Sequence, residues 1–204
     1  MKKEKNYFDD TNAHYCDFCA VKLENSYEKL SDGSEICPDC SKSRLYSEEE
    51  IEEILEHAKE MMKKYFEVNF DNSQISLKVI EPEELKEMEG EYLAYSSSYD
   101  PRSVALAVPQ GRVLYVEKGA PRIVAAGFIV RELTNMWQYI LWNSTEVVSI
   151  YGEENALMIY EGMAVWSEIQ FLYYENEVDY AARRDMYYEK CFEDGSQNHY
   201  VLGF

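Results

Sequence analysis

Four cysteines carry the plainest chemistry in this chain. Cys16-Asp17-Phe18-Cys19 and Cys37-Pro38-Asp39-Cys40 are two CxxC pairs separated by seventeen residues. Each pair forms a tight knuckle presenting two thiolates, and four thiolates close a tetrahedral zinc site with no open position. Such a site is structural. Residues 27–30 and 35–36 flank Ser31-Asp32-Gly33-Ser34, and Asp-Gly favours a hairpin turn, so the spacing predicts knuckle, hairpin, knuckle. A fold this small depends on its metal. Disulfides are the competing chemistry, but no secretion signal is visible at the start of the chain, and a redox CxxC would not come twice around a hairpin. Cys191 stands apart and reads as an ordinary core or surface thiol.

A second set of reactive side chains lies in the latter half. Residues 119–143 read as one long helix, with Pro121 in its first turn and a nearly unbroken apolar run from Ile123 to Val130. Arg131, Asn135 and Gln138 then fall on one stripe, with Glu132 beside it. A later helix over 153–174 carries Glu161 in an otherwise apolar stretch. Buried polar groups need partners, so function turns on what faces that stripe.

The elements that must position these residues have an α+β order. Residues 1–13 read as a flexible tail, 14–44 as the zinc module and 47–204 as the main domain. Ser47-Glu48-Glu49-Glu50 is a capping box, and apolar residues at helical spacing continue to Phe66, leaving an acidic outer face on which His57 has no special role. Strands are expected at 72–80, 92–97, 104–108 and 113–116, with a short helix or turn at 82–88. The segment after Asn143 reads as a loop, and a third helix spans about 179–192.

The formal charge is −19, and residues 1–46 hold seven Lys/Arg against nine Asp/Glu, so nearly all the excess lies in the main domain. A chain so acidic avoids nucleic acid and anionic membranes. It contains no run of eighteen apolar residues, so no membrane span is expected, and the expected compartment is the cytoplasm.

The two late helices resemble those of gluzincin-type zinc peptidases. There, HExxH on one helix supplies two zinc ligands and a general base, and a Glu on a later helix completes the set. At the matching place this chain has Arg131-Glu132-Leu133-Thr134-Asn135, followed by Met136-Trp137-Gln138. The second helix has Glu161-Gly162-Met163-Ala164-Val165-Trp166. The order of parts is similar to one family in particular: the LIM-associated, ubiquitin-regulated peptidases first met as plant organ-size regulators, with their shorter bacterial relatives. The shared parts are the CxxC hairpin CxxC module, the Glu-rich helix, the small sheet, a Gly-x-Pro-Arg lead-in (here Gly119-Ala120-Pro121-Arg122), the motif helix and the Glu-Gly helix.

The resemblance implies a gluzincin-like domain with Glu132 at the general-base position and Glu161 at the third-ligand position. Both histidine positions are substituted, by Arg131 and Asn135. Arginine has no lone pair to give a metal, and asparagine is a weak oxygen ligand. The resemblance therefore implies a pseudopeptidase that keeps one structural zinc on Cys16, Cys19, Cys37 and Cys40, lacks the catalytic zinc, and acts by binding a protein or peptide. The alternative is an active zinc peptidase with a non-standard ligand set that recruits His199 from the tail. With no zinc between Glu132 and Glu161, Arg131 is expected to bridge to Glu161.

Overall fold

The computed structural model describes residues 13–24, 26–70, 75–92 and 102–193. Within them the chain is mixed α+β, with seven α-helices and small sheets. Two short hairpins come first: β1 (His14–Tyr15) with β2 (Lys22–Leu23), and β3 (Glu28–Lys29) with β4 (Glu35–Ile36). The second was expected from Asp32-Gly33; the first, inside the first knuckle, was not. Helix α1 (Pro38–Lys42) leaves the second knuckle, with Pro38 at the start of its first turn. Helix α2 (Glu48–Phe66) begins on the expected box, Glu50 N–H donating to Ser47 Oγ at 3.2 Å and Ser47 N–H to Glu50 Oε2 at 3.3 Å. It buries Ile51, Ile54, Leu55, Ala58 and Met62.

A three-stranded sheet follows, in the order β5 (Ser76–Ile80), β7 (Val113–Glu117), β6 (Ala105–Val108). β5 runs parallel and β6 antiparallel to β7. Alternation sorts its two faces. Ala105, Ala107, Leu114 and Val116 enter the main core, while Ile80 and Leu106 pack with Leu85 of α3 (Pro82–Tyr92) on the other side. The strand expected at 92–97 falls largely outside the described residues, and the one expected from residue 72 begins at Ser76.

Helix α4 (Arg122–Leu141) runs through the centre and buries Val124 to Val130 without interruption, then Leu133, Thr134, Met136 and Gln138. Helices α2 and α6 (Glu153–Tyr174) and strand β6 surround it. Pro121 is the residue just outside α4 rather than in its first turn: its backbone is extended (φ −64°, ψ 140°). No side chain caps this end. The preceding backbone instead pairs with residues 43–45: Leu45 N–H donates to Ala120 O (3.0 Å), Gly119 N–H to Leu45 O (2.5 Å) and Arg122 N–H to Ser43 O (2.9 Å). Gly119, at φ +87°, lets Arg44 lie against it, and Arg44 Nε donates to Gly119 O at 2.8 Å; a Cβ there would sit 2.7 Å from Arg44 Nη2.

Where a loop was expected after Asn143, helix α5 (Ser144–Tyr151) forms. It starts on Asn143, whose Oδ1 accepts from Glu146 N–H at 3.4 Å, and it stops at Gly152. Helix α7 (Val178–Glu193) closes the described fold. No described helix is long and apolar enough to cross a membrane.

Candidate metal centre and a charged seam between two helices

The first knuckle closes through Cys16 N–H to Val21 O (2.9 Å) and Ala20 N–H to Cys16 O (3.0 Å). In the second, Cys37 caps α1 and its Sγ accepts from Cys40 N–H at 3.4 Å. Asp17 ties the two together: its N–H donates to Glu35 O (2.8 Å) and its Oδ2 accepts from Glu35 N–H (2.6 Å). The result brings the Sγ atoms of Cys16, Cys19, Cys37 and Cys40 within 4.8 Å of one another, all four buried and none in a disulfide. Cys19 and Cys37 sulfurs stand 3.7 Å apart. Sulfurs around a tetrahedral ion at ~2.3 Å are separated by about 3.8 Å, so the cluster is shaped to hold one metal ion.

Four thiolates cannot share this space without a cation. Cys16 is held far below the ordinary thiol range by hydrogen bonds from Cys19, then Cys37 and Cys40. Cys40 is driven far above it by its contacts with Cys16, Cys19 and Cys37 and by burial. A metal ion removes that conflict.

The module is joined to the rest of the molecule by charge as well as backbone. Arg102 reaches the hairpin turn at Asp32, donates to Ser34 Oγ (2.7 Å) and lies over the Phe18 ring. It also forks onto buried Glu117 of β7, Nη2 to Oε1 at 2.6 Å and Nε to Oε2 at 3.2 Å. Burial raises the Glu117 pKa, and Arg102 opposes the rise. From the far end, Arg183 Nε of α7 donates to Cys19 O at 2.8 Å.

The stripe on α4 divides between two neighbours. Arg131 Nη2 donates to Glu161 Oε2 on α6 at 3.1 Å, with the two side chains 12% and 29% exposed. Fully buried Gln138 donates from Nε2 to Tyr160 O, also on α6, at 3.2 Å. Glu132 turns the other way, and its Oε2 accepts from Ala107 N–H of β6 at 2.9 Å. Its pKa is raised to about 7, chiefly by loss of water around the carboxyl; Arg131, the Ala107 bond and Asn135 pull it down, and Glu161 pushes it up. Arg131, Glu132, Asn135 and Glu161 therefore share one electrostatic neighbourhood, in which a guanidinium holds one acid and a strand N–H the other.

A further buried ion pair escaped the sequence reading. Glu168 of α6 and Arg184 of α7 are at most 1% exposed and form a fork, Nε to Oε1 at 2.7 Å and Nη2 to Oε2 at 3.1 Å, with the guanidinium over Phe128. Gly127 makes room for it: a Cβ there would lie 3.3 Å from Glu168 Cγ. The available signal was a carboxylate in an apolar helix, the same oddity that marked Glu161. His57 pairs with Glu175 at 2.9 Å, and both line a cavity that Cys19, Cys37 and Cys40 also border, while His199 and the tail lie outside the described residues. Neither protein-family models nor curated proteins nor solved structures gave a match to this chain.

Proposed function

We propose that this chain is a pseudopeptidase: a zincin-like domain without its catalytic ion, carrying one structural zinc and working by binding a protein or peptide. The observation that carries the reading is the Arg131–Glu161 bond at 3.1 Å. By the resemblance, Arg131 takes the place of the first metal-binding histidine and Glu161 that of the third ligand. A guanidinium offers no lone pair and is permanently charged, so it occupies the space of an ion while neutralising the acid such an ion would need. Glu132, at the general-base position, is engaged by Ala107 N–H and has no histidine beside it. Zinc is the proposed occupant of the four-thiolate centre because tetrahedral sulfur sets of this spacing suit it.

The surface supports a protein or peptide partner. Tyr139, Leu141, Ile150 and Tyr151 are each more than half exposed. Residues 139–152 contain a single charged side chain, Glu146, in a chain where 29% are charged. The charge of −19 disfavours nucleic acid.

Metal analysis and proteolysis test the reading together. The native chain should hold one zinc and leave casein intact. The Arg131→His, Asn135→His double variant should hold a second zinc. Two metals in the native chain, with chelator-sensitive cleavage of casein, would instead establish an active peptidase with an unusual ligand set.

A further inference from the structure

A cavity of about 320 Å³ lies where the end of α2 meets α4 and α6, away from the four-cysteine centre. Phe66, Trp137 and Trp166 line it, with Met62, Met163 and Glu67. We propose that this cavity is a binding site for a methylated ammonium group, held by cation–π attraction to Phe66, Trp137 and Trp166 and by the charge of Glu67.

Three independent features favour a cation, and a methylated one. The walls are aromatic and set at an angle to each other: Phe66 and Trp166 have ring centroids 5.5 Å apart and planes inclined by 54°. Angled electron-rich rings attract a cation lodged between them, and tryptophan does so most strongly. The cavity also sits at the C-terminus of α2, the negative end of the helix dipole, which Lys63 and Lys64 of the last turn share. Glu67, the residue that ends the helix, adds a full negative charge there; it is held in a left-handed conformation (φ 57°, ψ 20°), its N–H donating to Met62 O.

The polar lining then selects the kind of cation. Two hydroxyls reach the cavity, and both donate within their own helices: Thr134 Oγ1 to Val130 O at 2.9 Å and Ser167 Oγ to Met163 O at 2.9 Å. A primary ammonium must replace three hydrogen bonds to water, and the aromatic and methionine walls that make up most of the lining offer it no strong acceptor. A quaternary ammonium makes no such demand. Tyr65 also lines the cavity, but its ring is already engaged, stacking on Tyr174 at 3.9 Å and carrying the Lys64 ammonium at 4.6 Å. The shared chemistry is a trimethylammonium head, whether on a free small molecule such as choline or on a trimethylated lysine of a partner.

Titration of the full, metal-loaded chain with choline, its neutral isostere 3,3-dimethylbutan-1-ol and ammonium chloride, followed by tryptophan fluorescence and calorimetry, tests this. Choline should bind at least about tenfold tighter than the neutral isostere, and ammonium should give no saturable signal. Glu67→Gln, at an exposed position, should weaken choline binding by roughly threefold with the fold intact, and Trp166→Leu should abolish it. A trimethyl-lysine peptide binding more tightly than choline identifies a modified partner, and equal binding identifies the free ligand. Equal affinity for choline and its isostere, or no saturable response to choline, overturns the proposal.

Discussion

The four-cysteine centre and the α4–α6 seam handle buried charge in opposite ways. At the first, four ligands of one kind converge within 4.8 Å, and all four can lose their protons together only around an ion from outside. At the second, the compensating cation is part of the chain: Arg131 holds Glu161, and Glu132 rests on a backbone N–H. A site that borrows its cation answers to metal supply and chelators. A site that carries its own is indifferent to both.

The contrast is most easily broken at the metal centre. Cys37→Ser, or a strong chelator, should remove the bound metal and destabilise the chain by several kcal/mol, seen as metal loss and a large fall in Tm. An unchanged Tm after complete metal removal would make the centre dispensable. The next largest effect is expected at the wholly internal ion pair. Arg184→Met strands Glu168 and should cost about 3–5 kcal/mol in denaturant unfolding, whereas replacing both partners with apolar residues should recover most of it.

Glu132 gives a smaller effect with a distinctive pH signature. Its folded pKa of about 7 lies above the ordinary 4.5, so between those values the folded chain keeps a proton that the unfolded chain releases. Its contribution to stability is greatest below pH 4.5, falls as pH rises through 7, and is constant above. Glu132→Gln keeps an acceptor for Ala107 N–H and never ionises. It should therefore exceed the native chain in stability by about 3 kcal/mol at pH 8, with the gap closing toward pH 5. A gap that does not change with pH would refute the assignment. Smallest is the Arg131–Glu161 bond, partly open to water. A double-mutant cycle with Arg131→Met and Glu161→Gln should return a coupling of about 1 kcal/mol, insensitive to chelator, and zero coupling would mean the bond does not steady the seam.

Much of this could be read from residue order, and the failures have physical causes. Cys16, Cys19, Cys37 and Cys40 were legible because CxxC spacing is local geometry that only a few chemistries use. Helices α2, α4, α6 and α7 were legible because their apolar residues recur at helical spacing over many turns. Helix α5 was missed because Val147, Val148 and Ile150 are β-branched and none of its residues is buried, so neither propensity nor periodicity marked it; Asn143 and Gly152, which bound it, were the usable signal. Periodicity placed Arg131 and Glu132 close together on α4 but could not say that one would face α6 and the other β6. The Arg102–Glu117 and Glu168–Arg184 forks were hidden for the same reason, since pairing across elements depends on packing.

The strand-like pairing of residues 43–45 with 119–122 bears on engineering and on biosynthesis. Excising the first 46 residues as a detachable tag would strip the central helix of the backbone that greets its opening turn, so the cysteine module is not portable in either direction. A ribosome delivers that module some seventy residues ahead of the segment it pairs with. The N-terminal part can thus recruit its ion early and then stand as a template on which the later half docks.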